Sequence, residues 1–180
     1  MRSGWVRAAA AAVLGAGLLA SAGCGKKPAP VADRTAAEGL AAAEAFLASN
    51  ARAKGVVTLP SGVQYKIVQS GPPGGEAPDS NDLVRVDYEG TLTDGTVFDS
   101  SYKAGSPAVF PLDGVVPGWA EALQHMRVGD EWFVYLPPAL GYGADGKPGI
   151  PPNSVLVFRL KLLDLARTPG GGKGVGLAMG

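Results

Sequence analysis

The chain has 180 residues, with 16 basic and 16 acidic side chains. One domain with appendages is expected, and no net field draws it to nucleic acid or steers it to an acidic partner. Its single cysteine excludes an intramolecular disulfide, and no Cys/His cluster has metal-ligand spacing, so neither a metal nor another cofactor is expected.

Residues 1–23 read as a targeting segment. Arg2 and Arg7 accompany an apolar run, Ala8 to Ala20, too short for a stop-transfer helix. "SAGCGKK" follows, with the small residues Ser21, Ala22 and Gly23 ahead of Cys24. It resembles a bacterial lipobox, in which the signal is cut before Cys and the thiol and new amino group are acylated. Ser21 stands where that pattern usually has a large aliphatic; the alternative is an ordinary secretory signal. Both readings put the mature domain outside the cytoplasm. The lipobox resemblance implies a lipid anchor at Cys24 on a bacterial membrane. Gly25, where an Asp often signals inner-membrane retention, favours the outer membrane, facing the periplasm or exterior.

Residues 24–34 form a small, polar tether. "TAAEGLAAAEAFLASNARAK" (35–54) reads as an Ala-rich helix stopped by Gly55. With few large apolar residues, Leu40, Phe46 and Leu47, it needs a partner surface. That surface is either its own domain or a second copy, giving a homodimer through residues 35–54. "VQYKIVQSG" (63–71) is a strand, followed by a turn-rich stretch to Asp82. In "LVRVDYEGTL" Val84, Val86 and Tyr88 alternate with Arg85, Asp87 and Glu89, a half-buried strand. "TDGT" is a tight turn, and "VFDSSY" (97–102) resumes extended chain.

"GVVPGWAEAL" (114–123) puts a tryptophan in the first turn of a short helix, a place near which Ser, Thr or Asp usually caps. Trp119, Ala122, Leu123 and Met126 make one apolar stripe, Pro117 suits the first turn and Gly129 ends the element. Trp119 is either a core anchor or the floor of something that stays open. "EWFVYLPP" (131–138) is a strand apolar on both faces. After a long Gly/Pro loop, "SVLVFRLKLLDL" turns Leu156, Phe158, Leu160 and Leu162 inward and Arg159 and Lys161 outward. The pattern is α+β: a curved antiparallel sheet wrapped around one short helix, preceded by the N-terminal helix. Residues 169–180 are Gly-rich, with too little apolar content to fold.

Ordinary catalytic constellations are missing. His125 lies on the polar side of the helix stripe, so no Ser/His or Cys/His pair is expected. "GYGADG" precedes a Pro-rich loop rather than a helix and cannot act as a P-loop. What remains is a set of strand aromatics, the helix-entrance Trp119 and a loop carrying Tyr142.

"VDYEGTLTDGTVFDSSY", "GVVPGWAEALQHMRVGDE" and "LPPALGYGADGKPGIPPNSVLVFRLKLLDL", in that order, closely resemble the FKBP-type peptidyl-prolyl isomerases. The resemblance covers roughly residues 56–168. Residues 45–71 further resemble the linker of the exported, often dimeric macrophage infectivity potentiator branch. The family's fold has an apolar pocket between helix and sheet. The resemblance implies Trp119 as its floor, Tyr88, Phe98 and Phe158 as walls, and Val115 and Val116 at its edge, one offering a backbone N–H. Tyr142 would give its hydroxyl to a substrate carbonyl, Asp99 would sit beside the twisting amide, and Ile150 would cover one side. Asp99 and Tyr142 are thus the catalytic candidates. Two residues depart from the family: Ala104 replaces an Arg that often pairs with the acid, and Ala108 replaces a large apolar residue. A loosely held Asp99 and a wider pocket mouth are expected. The implied function is prolyl isomerisation assisting the folding of exported proteins. Its partners would be proline-containing substrates, with macrolides such as rapamycin as inhibitors. The alternative is a chaperone module that grips proline-containing segments without turnover.

Overall fold

A capping box opens the first helix. Thr35 Oγ1 accepts from the Glu38 N–H at 3.3 Å, and the Glu38 carboxylate accepts from the Thr35 N–H at 2.9 Å. The computed structural model describes residues 35–169; the signal segment, the Cys24 tether and nearly all of the Gly-rich tail lie outside the described residues. Helix α1 spans Ala36–Asn50, ending short of Gly55, and its last turn is tied to a tertiary partner. Asn50 Nδ2 donates to Gln64 Oε1 at 2.8 Å, and Gln64 Nε2 donates to the Leu47 carbonyl at 2.9 Å. Residues 51–55 are turns. The helix packs on its own domain. Phe46 meets Tyr135 with ring centroids 6.1 Å apart, and Asn153 Nδ2 donates to the Ala36 carbonyl at 2.8 Å. Leu40 stays exposed.

Seven antiparallel strands form one sheet: β1 (Val56–Thr58), β2 (Gln64–Gln69), β3 (Leu83–Thr91), β4 (Val97–Ser100), β5 (Ala108–Pro111), β6 (Glu131–Leu136) and β7 (Leu156–Ala166). Their order is β1-β2-β6-β7-β3-β4, with β5 sharing the outer edge of β3. Alternation sets the core as expected: Val84, Val86 and Tyr88 on β3, and Leu156, Phe158, Leu160 and Leu162 on β7, are buried. A bulge on β7 pairs Arg85 with Asp164 but Val86 with Leu162, so beyond it Leu165 rather than Asp164 turns to the core. Against this face lies α3 (Pro117–His125), whose stripe of Trp119, Ala122 and Leu123, with Met126 at its C-cap, is buried. Burying a side chain the size of Leu123 or Met126 contributes roughly 1.5–3 kcal/mol.

Several short elements escape the sequence pattern, among them β1, β5 and a helical turn, α2 (Ser101–Ala104). The chain is not extended through Tyr102. Ser100 Oγ accepts from the Lys103 N–H, and Gly105, at φ 79°, closes the turn. This turn fills a gap in the sheet. β4 pairs with β3 only at Glu89–Thr91, and β5 only at Leu83–Val86. Between them Ser101 Oγ accepts from the Tyr88 N–H at 2.9 Å and donates to Asp87 Oδ1 at 3.0 Å, satisfying backbone that neither strand reaches.

Candidate active site

Helix α3 begins without a side-chain cap. Val116 serves as N-cap through its carbonyl, which accepts from the Trp119 and Ala120 N–H groups at 2.9 and 3.2 Å. Pro117 at the first helical position has no N–H to satisfy. The first turn can therefore carry a bulky apolar residue. Gly118 lets it sit on the sheet: a Cβ there would lie 2.6 Å from a Leu136 methyl. Trp119, only 4% exposed, is held against the sheet as the floor of a cleft of about 320 Å³.

Aromatic rings close around that floor. Trp119 meets Phe158 at 5.0 Å, Tyr88 at 5.1 Å and Phe110 at 5.7 Å between centroids, all edge-on. Such contacts align ring edges with π faces, each worth roughly 0.5–1.5 kcal/mol beyond area burial. The buried indole N–H has no oxygen or nitrogen partner among the described residues. Phe98 and Phe158 meet at 5.6 Å and 89° across Gly90, where a Cβ would stand 2.7 Å from both rings. Gly90 is what allows the wall to close.

The polar groups sit at the rim. Tyr88 Oη donates to Asp99 Oδ2 at 2.7 Å, and Asp99 Oδ1 accepts from the Ser100 N–H at 2.9 Å. Burial, and then the Asp99 carboxylate, push the Tyr88 phenol well above its ordinary range, so it remains a donor. Asp99 is thus held by a hydroxyl and an N–H. Ala104, in the place of the expected basic partner, is exposed, and no basic side chain pairs with Asp99 among the described residues.

The structure brings Asp99, Tyr142, Tyr88, Phe98, Val115, Val116, Trp119 and Phe158 into one cleft. Ile150 does not line it; its side chain is buried in the core, beneath a hairpin whose other end is Lys147. Ala108 pairs with Val86 on β5 and does not line the cleft either. Phe110, Gly114 and Lys147 line it without having been singled out from sequence. The signal for Phe110 was the alternation of "AVFP", in which Val109 is exposed and Phe110 turns inward. Lys147 carried no such signal, because its place depends on how the 141–155 loop folds back. Among the described residues no group of three His, Cys, Asp or Glu converges on a metal position. The cleft offers apolar walls, one hydroxyl–carboxylate pair and one cation.

Residues 74–163 match the FKBP-type peptidyl-prolyl cis-trans isomerase family, and residues 24–67 match the domain amino terminal to it. The chain is 51% identical over 124 residues to peptidyl-prolyl cis-trans isomerase Mip of Coxiella burnetii, covering 68% of this chain and 53% of that protein. It is 46% identical over 136 residues to the outer membrane protein MIP of Legionella longbeachae, covering 75% and 58%. The chain therefore spans little more than half the length of either relative. The crystal structure of FkpA from Escherichia coli superposes with a TM-score of 0.71 at 46% identity, covering 74% of this chain and 62% of that one.

Proposed function

This chain belongs to the FKBP-type peptidyl-prolyl cis-trans isomerase family, and from that premise we propose that the cleft over Trp119 isomerises X–Pro bonds in exported proteins. The observation that carries the reading is an indole floor under edge-packed aromatic walls, with an oriented Tyr88–Asp99 pair at the rim.

Turning an X–Pro amide through its twisted state costs about 18–20 kcal/mol, and unaided it takes tens of seconds or more. No covalent bond breaks, so the reaction needs no nucleophile. The planar amide carries a resonance dipole that water solvates; the twisted amide has lost much of it. An apolar cleft therefore disfavours the planar ground state more than the transition state. The proline ring lies on Trp119 between Tyr88 and Phe158. The Tyr142 hydroxyl donates to a substrate carbonyl, Asp99 stands beside the twisting amide, and a backbone N–H of the Val115–Val116 rim holds the flanking peptide. Lowering the barrier by about 7 kcal/mol gives on the order of 10⁵-fold acceleration.

The test is a proline-limited refolding assay with the purified protein, with and without rapamycin. Acceleration that rapamycin abolishes is expected; no acceleration sinks the enzymatic reading. The "SAGCGKK" segment and the outer-membrane designation of the Legionella relative support an envelope location with Cys24 lipidated after removal of residues 1–23. Residues 24–34 would hold the 56–168 domain off the membrane. The exposed Leu40 on α1 supports a homodimer through residues 35–54, which light scattering of wild type against Leu40→Glu decides.

A further inference from the structure

The segment Lys147-Pro148-Gly149-Ile150 folds as a closed hairpin tip. The Lys147 N–H donates to the Ile150 carbonyl at 2.8 Å, and the Ile150 N–H donates back to the Lys147 carbonyl at 2.7 Å. Gly149 at φ 82° after Pro148 suits such a turn, since Pro presets the first corner and glycine tolerates the second. Ile150 is buried in the core, so the tip is anchored at one end. The other end, Lys147, is thereby fixed at the cleft rim, with Nζ 5.1 Å from the centre of the Tyr142 ring.

Two charged side chains line the cleft, and they differ in how far their polar atoms are already hydrogen-bonded. Both carboxylate oxygens of Asp99 already accept hydrogen bonds, from Tyr88 and from the Ser100 N–H. The Lys147 ammonium forms no ion pair among the described residues and rests only on a ring face. Lys147 also lines a second depression formed by residues 145–152, so it stands between that depression and the cleft. A polypeptide leaving the cleft on that side passes an unpaired cation.

We propose that Lys147 is a specificity-determining residue that selects substrates with an acidic side chain flanking the isomerised proline. The proposal rests on the isomerase reading of the same cleft. A Glu or Asp beside the proline gains a charge partner at the rim, whereas a Lys or Arg there meets a like charge. The Tyr142 ring face beside the exposed Lys147 orients the contact, which stays modest and sensitive to salt.

The experiment uses the full chain and two peptide series, Ala-Xaa-Pro-Phe and Ala-Leu-Pro-Xaa, with Xaa being Glu, Leu or Lys. NMR exchange spectroscopy gives kcat/KM, and titration in the same samples gives Kd, for wild type, Lys147→Met and Lys147→Glu. In at least one series the wild type should favour Glu over Lys by roughly three- to tenfold at low salt, a ratio that shrinks at high salt. Lys147→Met should flatten the ratio and Lys147→Glu invert it. The ratio is internal to each variant, so a change in folded fraction does not mimic the effect. Equal Glu/Lys ratios for wild type and both variants in both series overturn the proposal. Failure to turn over any peptide overturns the isomerase reading instead, and the Kd ratios still decide the charge preference.

Discussion

The Tyr88 hydroxyl on β3 donates to Asp99 on the paired strand β4 at 2.7 Å, joining a core aromatic to an exposed rim carboxylate. Tyr88 is anchored from below by the T-shaped contact with Trp119 and through its backbone N–H by Ser101. The pair thus ties the cleft floor to its mouth. Tyr88→Phe should cost about 1–2 kcal/mol in urea unfolding, because it leaves the carboxylate with one donor fewer. It should also lower kcat/KM severalfold.

The sign of the Tyr88 shift sets an alkaline prediction. Its pKa is raised in the folded state by burial and by Asp99, so its stabilising contribution is complete below the ordinary phenol value near 10 and lost as pH rises toward the folded value. Wild type should lose thermal stability above about pH 10 more steeply than Tyr88→Phe. Tyr102 and Tyr135 are raised as well, so part of the slope persists in the variant. Identical slopes would mean that Tyr88 titrates normally.

Gly90→Ala drives a methyl to within 2.7 Å of both Phe98 and Phe158. Overpacking of this kind costs about 1–3 kcal/mol. Because the displaced rings are a cleft wall, the peptide KM should rise along with the fall in melting temperature. A loss of stability with KM unchanged would show that the wall does not touch substrate.

Asp82 is a buried carboxylate that clasps the chain end after β7. Its burial raises the pKa, but the Asp79 and Thr168 N–H groups and the Arg167 guanidinium outweigh that and hold it below the usual carboxylate value. Its contribution is complete above the unfolded pKa of about 4 and lost as pH falls through the folded value. Acid unfolding of Asp82→Asn should therefore start from lower stability at neutral pH and be shallower below about pH 4. Equal acid slopes in calorimetry would remove Asp82 from this role.

Catalysis and grip separate by mutation. Tyr142→Phe and Asp99→Ala should slow proline-limited refolding while leaving peptide affinity within a fewfold of wild type, and Trp119→Leu should abolish both. If the first two leave refolding rates unchanged and only Trp119→Leu loses binding, the cleft is a chaperone's grip.

Cys24→Ser should move the protein from the membrane to the soluble fraction, and mass spectrometry of the mature N-terminus should show an acylated residue 24. An unmodified chain beginning elsewhere means a freely soluble exported protein.

The alternation of Val84, Val86 and Tyr88, the inward set on β7 and the Trp119–Met126 stripe were legible because burial acts on them locally, with periods of two and 3.6 residues. Those periods determined the α+β class, the core and, with the family resemblance, the aromatic cleft. Elements of three or four residues have no period to read. β1 and β5 exist because β2 and β3 offer them edges, and α2 exists because Tyr88 and Asp87 need a partner that neither β4 nor β5 supplies. The last turn of α1 is tied down by Gln64, distant in sequence. Lys147 reaches Tyr142, and Ile150 the core, because the loop after Gly141 folds back on itself and is closed at the Lys147–Ile150 bridge. Residue types and their repeats set what is buried; only the folded chain decides which distant groups complete each other's hydrogen bonds and which charge is left unpaired at the mouth.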